Sequence, residues 1–140
     1  MHMCDAVALE DSEVCEIPFN DLERLGREIP ALQQHFHRIM SREITRDYGV
    51  MLLLGSMRAE ERLAAFLLNL SQRFMARGYS STQFLLRMTR EEIGSYLGLK
   101  LETVSRAFSH LQNEGLITVH CKEIEIKYIE RMRSMLGQAA

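Results

Sequence analysis

Tryptophan is missing from the 140 residues, proline occurs only twice, and aromatic residues make up 7%. The core must therefore rest on Leu, Ile, Phe and the nine methionines, a set that favours helices. Cysteine is scarce as well. Cys4, Cys15 and Cys121 are odd in number and lack any C-x-x-C spacing, so neither a disulfide framework nor a four-cysteine zinc site can be built from them alone. A reducing compartment fits that usage. Apolar runs such as Val50–Leu54 fall far short of the roughly 20 residues that a membrane-spanning helix needs, and no basic-then-apolar leader opens the chain. The expectation is a cytoplasmic protein without a membrane partner. The motifs G-x-S-x-G, H-E-x-x-H and G-x-x-x-x-G-K do not occur, which argues against an enzyme. His35-x-His37 and His120-Cys121 have no second pair at suitable spacing and are read as ordinary side chains, not metal ligands.

What is present, 46% apolar and 26% charged residues, is the composition of a globular protein with room for one ordinary domain or two small ones. The net charge of −2 hides an asymmetry. Residues 1–56 carry five Lys/Arg against ten Asp/Glu, and residues 57–140 carry twelve against nine. Net charges of −5 and +3 point to two modules with different partners.

Residues 6–19 hold two short alternating apolar runs around Glu10-Asp11-Ser12 and read as a strand pair, the torn edge of a larger sheet. Asn20 is placed to cap a short helix over 21–28, and Pro30 opens a long helix reaching about Leu54. On that helix His37, Met40, Ile44, Asp47, Met51 and Leu54 recur at steps of three and four, the spacing of a helix-pairing seam. A carboxylate at Asp47 would face its symmetry mate and weaken the pairing. Gly55-Ser56 reads as a hinge. Ala59 to Arg77 forms the next helix with Leu63, Phe66, Leu67 and Leu70 on one face, ended by Gly78. A polar loop, Tyr79 to Gln83, and a short strand over 84–87 follow.

Thr89-Arg90-Glu91-Glu92 has the form of a capping box and starts a helix that carries Ile93 and Leu97 and stops at Gly98. A second helix runs from about Leu101. Its inward face is Val104, Phe108 and Leu111; its outward face is Glu102, Ser105, Arg106 and Ser109. Two helices joined by about three residues, with hydrogen-bonding side chains at the front of the second, match a helix-turn-helix. Strand-like alternation over 116–119 and 124–127, around His120 to Glu123, adds a hairpin directly after the second helix, so the unit reads as a winged helix. A terminal helix over 128–136 ends at Gly137.

The segments V-C-E-I-P-F (Val14 to Phe19), E-E-R-L-A-A-F-L-L-N-L (Glu60 to Leu70) and M-T-R-E-E-I-G-S-Y-L-G-L-K-L-E-T-V-S-R (Met88 to Arg106) resemble the cyclic-AMP receptor protein/FNR family of bacterial transcription regulators. Within it, Leu101-Glu102-Thr103-Val104-Ser105-Arg106 resembles the oxygen-responsive FNR branch. The fold this implies is mainly α with small β: residues 1–29 as a remnant of a β-roll sensor edge, 30–56 as the dimerisation helix and hinge, and 57–140 as the winged helix. The function it implies is a dimeric, sequence-specific DNA-binding regulator reading TTGAT-like palindromic half-sites. Glu102, Ser105 and Arg106 would read bases, and Arg90, Lys100, Thr103 and Lys122 would contact phosphates. By resemblance, Tyr79 and Ser81 lie on a loop that meets RNA polymerase. Asp47-Tyr48 stands where cyclic-nucleotide-binding members have Thr-Ser, so no cyclic nucleotide is expected. Lys100 departs from the Thr or Ser common at the helix cap. Cys15 matches one ligand of the [4Fe-4S] cluster of intact FNR-like proteins; without the other three, no cofactor is expected in this chain. The alternative is a dimerising protein-interaction module, or a sensor-less regulator fragment, without selective DNA binding.

Overall fold

The computed structural model describes residues 6–137, with the side chains of residues 46, 47, 50–54 and 56 outside the description. Contacts divide the chain into one unit ending at Leu52 and a second beginning at Leu53, inside the long helix.

In the first unit, residues 6–18 form no strand, contrary to the strand pair expected there. Val7, Val14 and Ile17 are exposed, and Ser12 Oγ donates locally to the Glu10 carbonyl. Alternation supplies a strand's faces but not its hydrogen-bond partners, and two short runs without further strands cannot sustain a ladder. Helix α1, Phe19–Glu28, begins two residues earlier than expected. The Pro18 carbonyl accepts from the amides of Asp21 (3.0 Å) and Leu22 (3.1 Å), so Asn20 lies within the helix and does not cap it. Ile29, held extended as a residue before proline tends to be, separates α1 from α2, Pro30–Ser56. Gly55 and Ser56 remain helical and are not the break; the chain leaves the helix at Met57-Arg58. A helical glycine costs only about 1 kcal/mol relative to alanine, whereas Arg58 N–H donates to Glu61 Oε2 at 2.8 Å and sets the start of the next helix.

The second unit contains α3 (Ala59–Ala76), β1 (Gln83–Leu85), α4 (Arg90–Leu97), α5 (Leu101–Asn113), β2 (Ile117–His120), β3 (Glu123–Ile126) and α6 (Ile129–Met135). The strands form one antiparallel sheet in the order β1-β3-β2, with Phe84 opposite Ile124 and Ile117 opposite Ile126. Leu63 and Leu67 of α3, Ile93 of α4, Val104 and Leu111 of α5, Ile124 and Ile126 of β3 and Met132 of α6 are fully or almost fully buried in one core. Every element of this unit contributes to it, so helix α5 is seated on a common apolar base. No helix among the described residues is long and apolar enough to cross a membrane.

Candidate nucleic-acid interface

The entry to α4 is built by a reciprocal cap. Glu92 N–H donates to Thr89 Oγ1 at 3.2 Å, and the Glu92 carboxylate accepts from Thr89 N–H (2.6 Å) and Thr89 O–H (2.8 Å). The backbone and side-chain bonds from Thr89, together with the Lys122 charge, hold the Glu92 carboxyl below its ordinary range, outweighing its desolvation. A lowered native pKa stabilises the fold above the unfolded-state pKa, and that stability is lost as pH falls through the native value. Glu92→Gln is therefore expected to lower the melting temperature at pH 7 and to flatten its fall as pH drops through and below the ordinary glutamate range, which thermal melts over an acid pH series would test.

At its other end α4 closes on Gly98, which adopts a left-handed φ of 63°. Leu99 N–H donates to the Gly94 carbonyl at 2.8 Å, and a Cβ added at Gly94 would lie 2.6 Å from the Leu99 carbonyl oxygen. The helix-turn-helix is thus closed through bare backbone at Gly94. The first residue of α5 follows Lys100, whose side chain makes no cap bond because an ammonium cannot accept one. The cap position is filled by backbone alone, with Val104 N–H bonded to the Lys100 carbonyl.

On α5, Val104, Ala107, Phe108 and Leu111 are buried, while Glu102, Ser105, Arg106 and Ser109 are exposed. Ser105 and Ser109 are linked through the Ser109 hydroxyl and the Ser105 carbonyl (3.1 Å), and Arg106 donates to Thr103 Oγ1 at 3.4 Å. Arg106 does not pair with Glu102, which leaves that carboxylate and most of the guanidinium donors directed to solvent. The structure therefore brings Glu102, Ser105 and Arg106 together on one face, with Thr103 at its edge.

Arg90 is placed differently. It is half-buried, its guanidinium carbon 3.1 Å from the centre of the Phe108 ring, and its buried Nη1 lacks a hydrogen-bond partner. Burial pushes its pKa downward, although a guanidinium stays protonated at neutral pH. The stacking uses the face of the guanidinium and leaves its N–H donors in the plane of the group, a placement that the sequence pattern did not indicate. Lys122 occupies the two-residue turn of the β2–β3 wing, beside Cys121 with its left-handed φ of 55°. The Lys122 carbonyl accepts from Leu86 N–H at 2.7 Å, fixing the turn to the segment after β1.

The loop after α3 is held rather than free. Ser71, missed in the sequence because it reads as an ordinary helix residue, is buried and donates to the Ser81 carbonyl at 2.5 Å. Ser80 Oγ accepts from the amides of Thr82 and Gln83. Tyr79 stands out from this loop, 67% exposed, its ring edge-on to Phe74. On α2, His37, Met40 and Ile44 are exposed, with His37 lining a groove between α1 and α2 beside Phe36; the expected seam residues Asp47, Met51 and Leu54 lie outside the described side chains.

A four-iron cluster needs four ligands. Cys15 is exposed in the extended segment, Cys4 lies outside the described residues, and no three His, Cys, Asp or Glu side chains group together among the described residues.

Helix-turn-helix, wing and polar recognition face together define a winged-helix nucleic-acid-binding unit that follows a long helix. The Crp-like helix-turn-helix domain family matches residues 61–135. The transcriptional regulatory protein btr of Bordetella pertussis is 56% identical over 137 residues, covering 98% of this chain and 57% of that protein. The transcriptional activator protein anr of Pseudomonas aeruginosa is 54% identical over 121 residues, 86% of this chain and 50% of its own. Among solved structures, FixK2 from Bradyrhizobium japonicum superposes with a TM-score of 0.77 at 32% identity, over 86% of this chain and 60% of its own. The chain belongs to the cyclic-AMP receptor protein/FNR family of bacterial transcription regulators, in its FNR branch. It spans about half the length of the curated relatives it matches.

Proposed function

We propose that this chain is the DNA-reading and pairing part of an FNR-type transcription regulator. Two copies, joined through α2, address a pseudo-palindrome with TTGAT-like half-sites about one helical turn apart. The observation that carries this reading is α5 itself, buried along one face and presenting Glu102, Ser105 and Arg106 to solvent along the other, with a wing beside it. The Arg106 fork matches guanine O6 and N7, Glu102 accepts from a cytosine N4 amine, and Ser105 is small enough to touch a thymine edge. Arg90, Lys100, Thr103 and Lys122 meet phosphates. A gel-shift titration of a TTGAT palindrome against a scrambled duplex, over a salt series, tests the proposal. Equal, weak binding to both duplexes would favour the protein-interaction alternative.

Lys122→Ala is expected to weaken binding to all sequences alike and to reduce the slope of log affinity against log salt by about one unit. A loss confined to one half-site base would instead make Lys122 a base contact. Tyr79, presented by a fixed loop, is the side chain we assign to RNA polymerase, with Ser81 supporting the loop through its backbone. The iron-sulfur cluster of the intact FNR-type protein draws at most Cys15 from this stretch, and the pairing of the isolated chain is weak, with Asp47 at its seam.

A further inference from the structure

Arg62 breaks a local rule. It stands in the opening turns of α3, where the positive end of the helix dipole disfavours a cation, directly after Glu60 and Glu61, which suit that end. Helix α4, by contrast, has no basic residue in its last turn, where a cation is favoured. Arg62 meets both facts by reaching away from its own helix. Its Nη1 donates to the carbonyl of Leu97, the last residue of α4, at 3.2 Å. That carbonyl is one of those a helix cannot satisfy internally. Its Nε donates to the carbonyl of Met57, the first residue after α2, at 3.0 Å.

One half-buried guanidinium therefore holds two carbonyls, at the junction before α3 and at the turn of the helix-turn-helix. The donors of an arginine are fixed in a plane, so the two carbonyls are held in a defined mutual geometry that a lysine ammonium, a point charge on a flexible stem, cannot impose. We propose that Arg62 is a positioning residue for DNA reading: it locks the helix-turn-helix to the junction at residues 57–58, so that a paired protein presents its two recognition helices at a single half-site spacing. It touches no DNA and acts through Leu97 and Gly98, which carry the chain into the turn before α5. This inference rests on the DNA-reading function proposed above.

The test uses the chain as it stands and duplexes whose TTGAT-like half-sites are set one helical turn apart or moved by one or two base pairs. Wild type is expected to prefer the best spacing by about tenfold or more. Arg62→Ala is expected to cut that preference to about threefold or less, with Arg62→Lys in between, because a lysine can serve only one carbonyl well. The penalty for changing the guanine of a half-site should stay as in wild type, since Arg106 is untouched. Circular dichroism melts accompany each variant. Where Arg62→Ala does not fold, Arg62→Lys decides. A wild-type spacing profile in a folded Arg62→Lys or Arg62→Ala variant overturns the proposal, as does loss of guanine and spacing preference together. A wild-type chain that binds the half-sites without regard to spacing also overturns it but leaves DNA reading standing, and a chain that does not distinguish TTGAT from scrambled DNA overturns the function on which it rests.

Discussion

Gly94→Ala is expected to lower the melting temperature by about 10 °C and to abolish tight DNA binding at the temperatures where wild type binds. The added methyl would sit 2.6 Å from the Leu99 carbonyl oxygen, a backbone atom with little freedom to withdraw. Leu99 is already bonded through its amide to the Gly94 carbonyl, and Gly98 between them is committed to a left-handed turn. Removing a helical glycine returns about 1 kcal/mol. Overpacking of a close backbone approach costs at the upper end of about 1–3 kcal/mol, or more. A net loss near 2 kcal/mol corresponds to roughly 8–16 °C in a domain of this size. Thermal melts and gel shifts on the same preparation check the result, and an unchanged melting temperature would mean that α4 and the turn can separate without cost.

Arg106→Ala is expected to cost about 1–3 kcal/mol on the best site, roughly 5- to 150-fold in affinity, and to relax preference at one base pair. Arg106 is exposed, bonded only at 3.4 Å to Thr103, and free of Glu102, so little in the free chain has to be broken for it to engage a base. Arg106→Lys separates the two roles an arginine can play. It keeps the charge and the salt dependence but loses the planar fork, so base preference should fall while the salt slope holds. Affinities measured for every substitution at the guanine position decide the matter. If Arg106→Ala weakens all sites in equal proportion, Arg106 is a phosphate contact.

The capping box at Thr89, the stop at Gly98 and the two faces of α5 were legible in the sequence because each is a short-range pattern whose partners lie within one or two helical turns. The expected strand pair over 6–19 failed for the opposite reason. Its alternation is local, but the hydrogen bonds that would make it a strand are not, and residues 6–18 have none of them. Asn20 failed as a cap because the Pro18 carbonyl already served the first amides of α1. The helix break expected at Gly55-Ser56 lies instead at Met57-Arg58, because the Glu61 carboxylate, not glycine content, sets where α3 starts. Gly94 left a trace, a second glycine inside E-E-I-G-S-Y-L-G that a short helix should avoid, but its purpose needs the position of Leu99.

By itself, then, the sequence determined the order and kind of the winged-helix elements, the outward row of Glu102, Ser105 and Arg106, and membership of the FNR branch, because helical period, caps and a contiguous motif are all written along the chain. Only the tertiary structure decided that Arg90 rests on Phe108, that Ser71 holds the loop at Ser81, that β1 pairs with β3, and that Arg62 joins Met57 to Leu97. Each of these contacts except the Met57 bond is made to a residue ten or more positions away. Where such side chains end is set by which core surfaces meet, a property of the packed whole that no window along the chain contains.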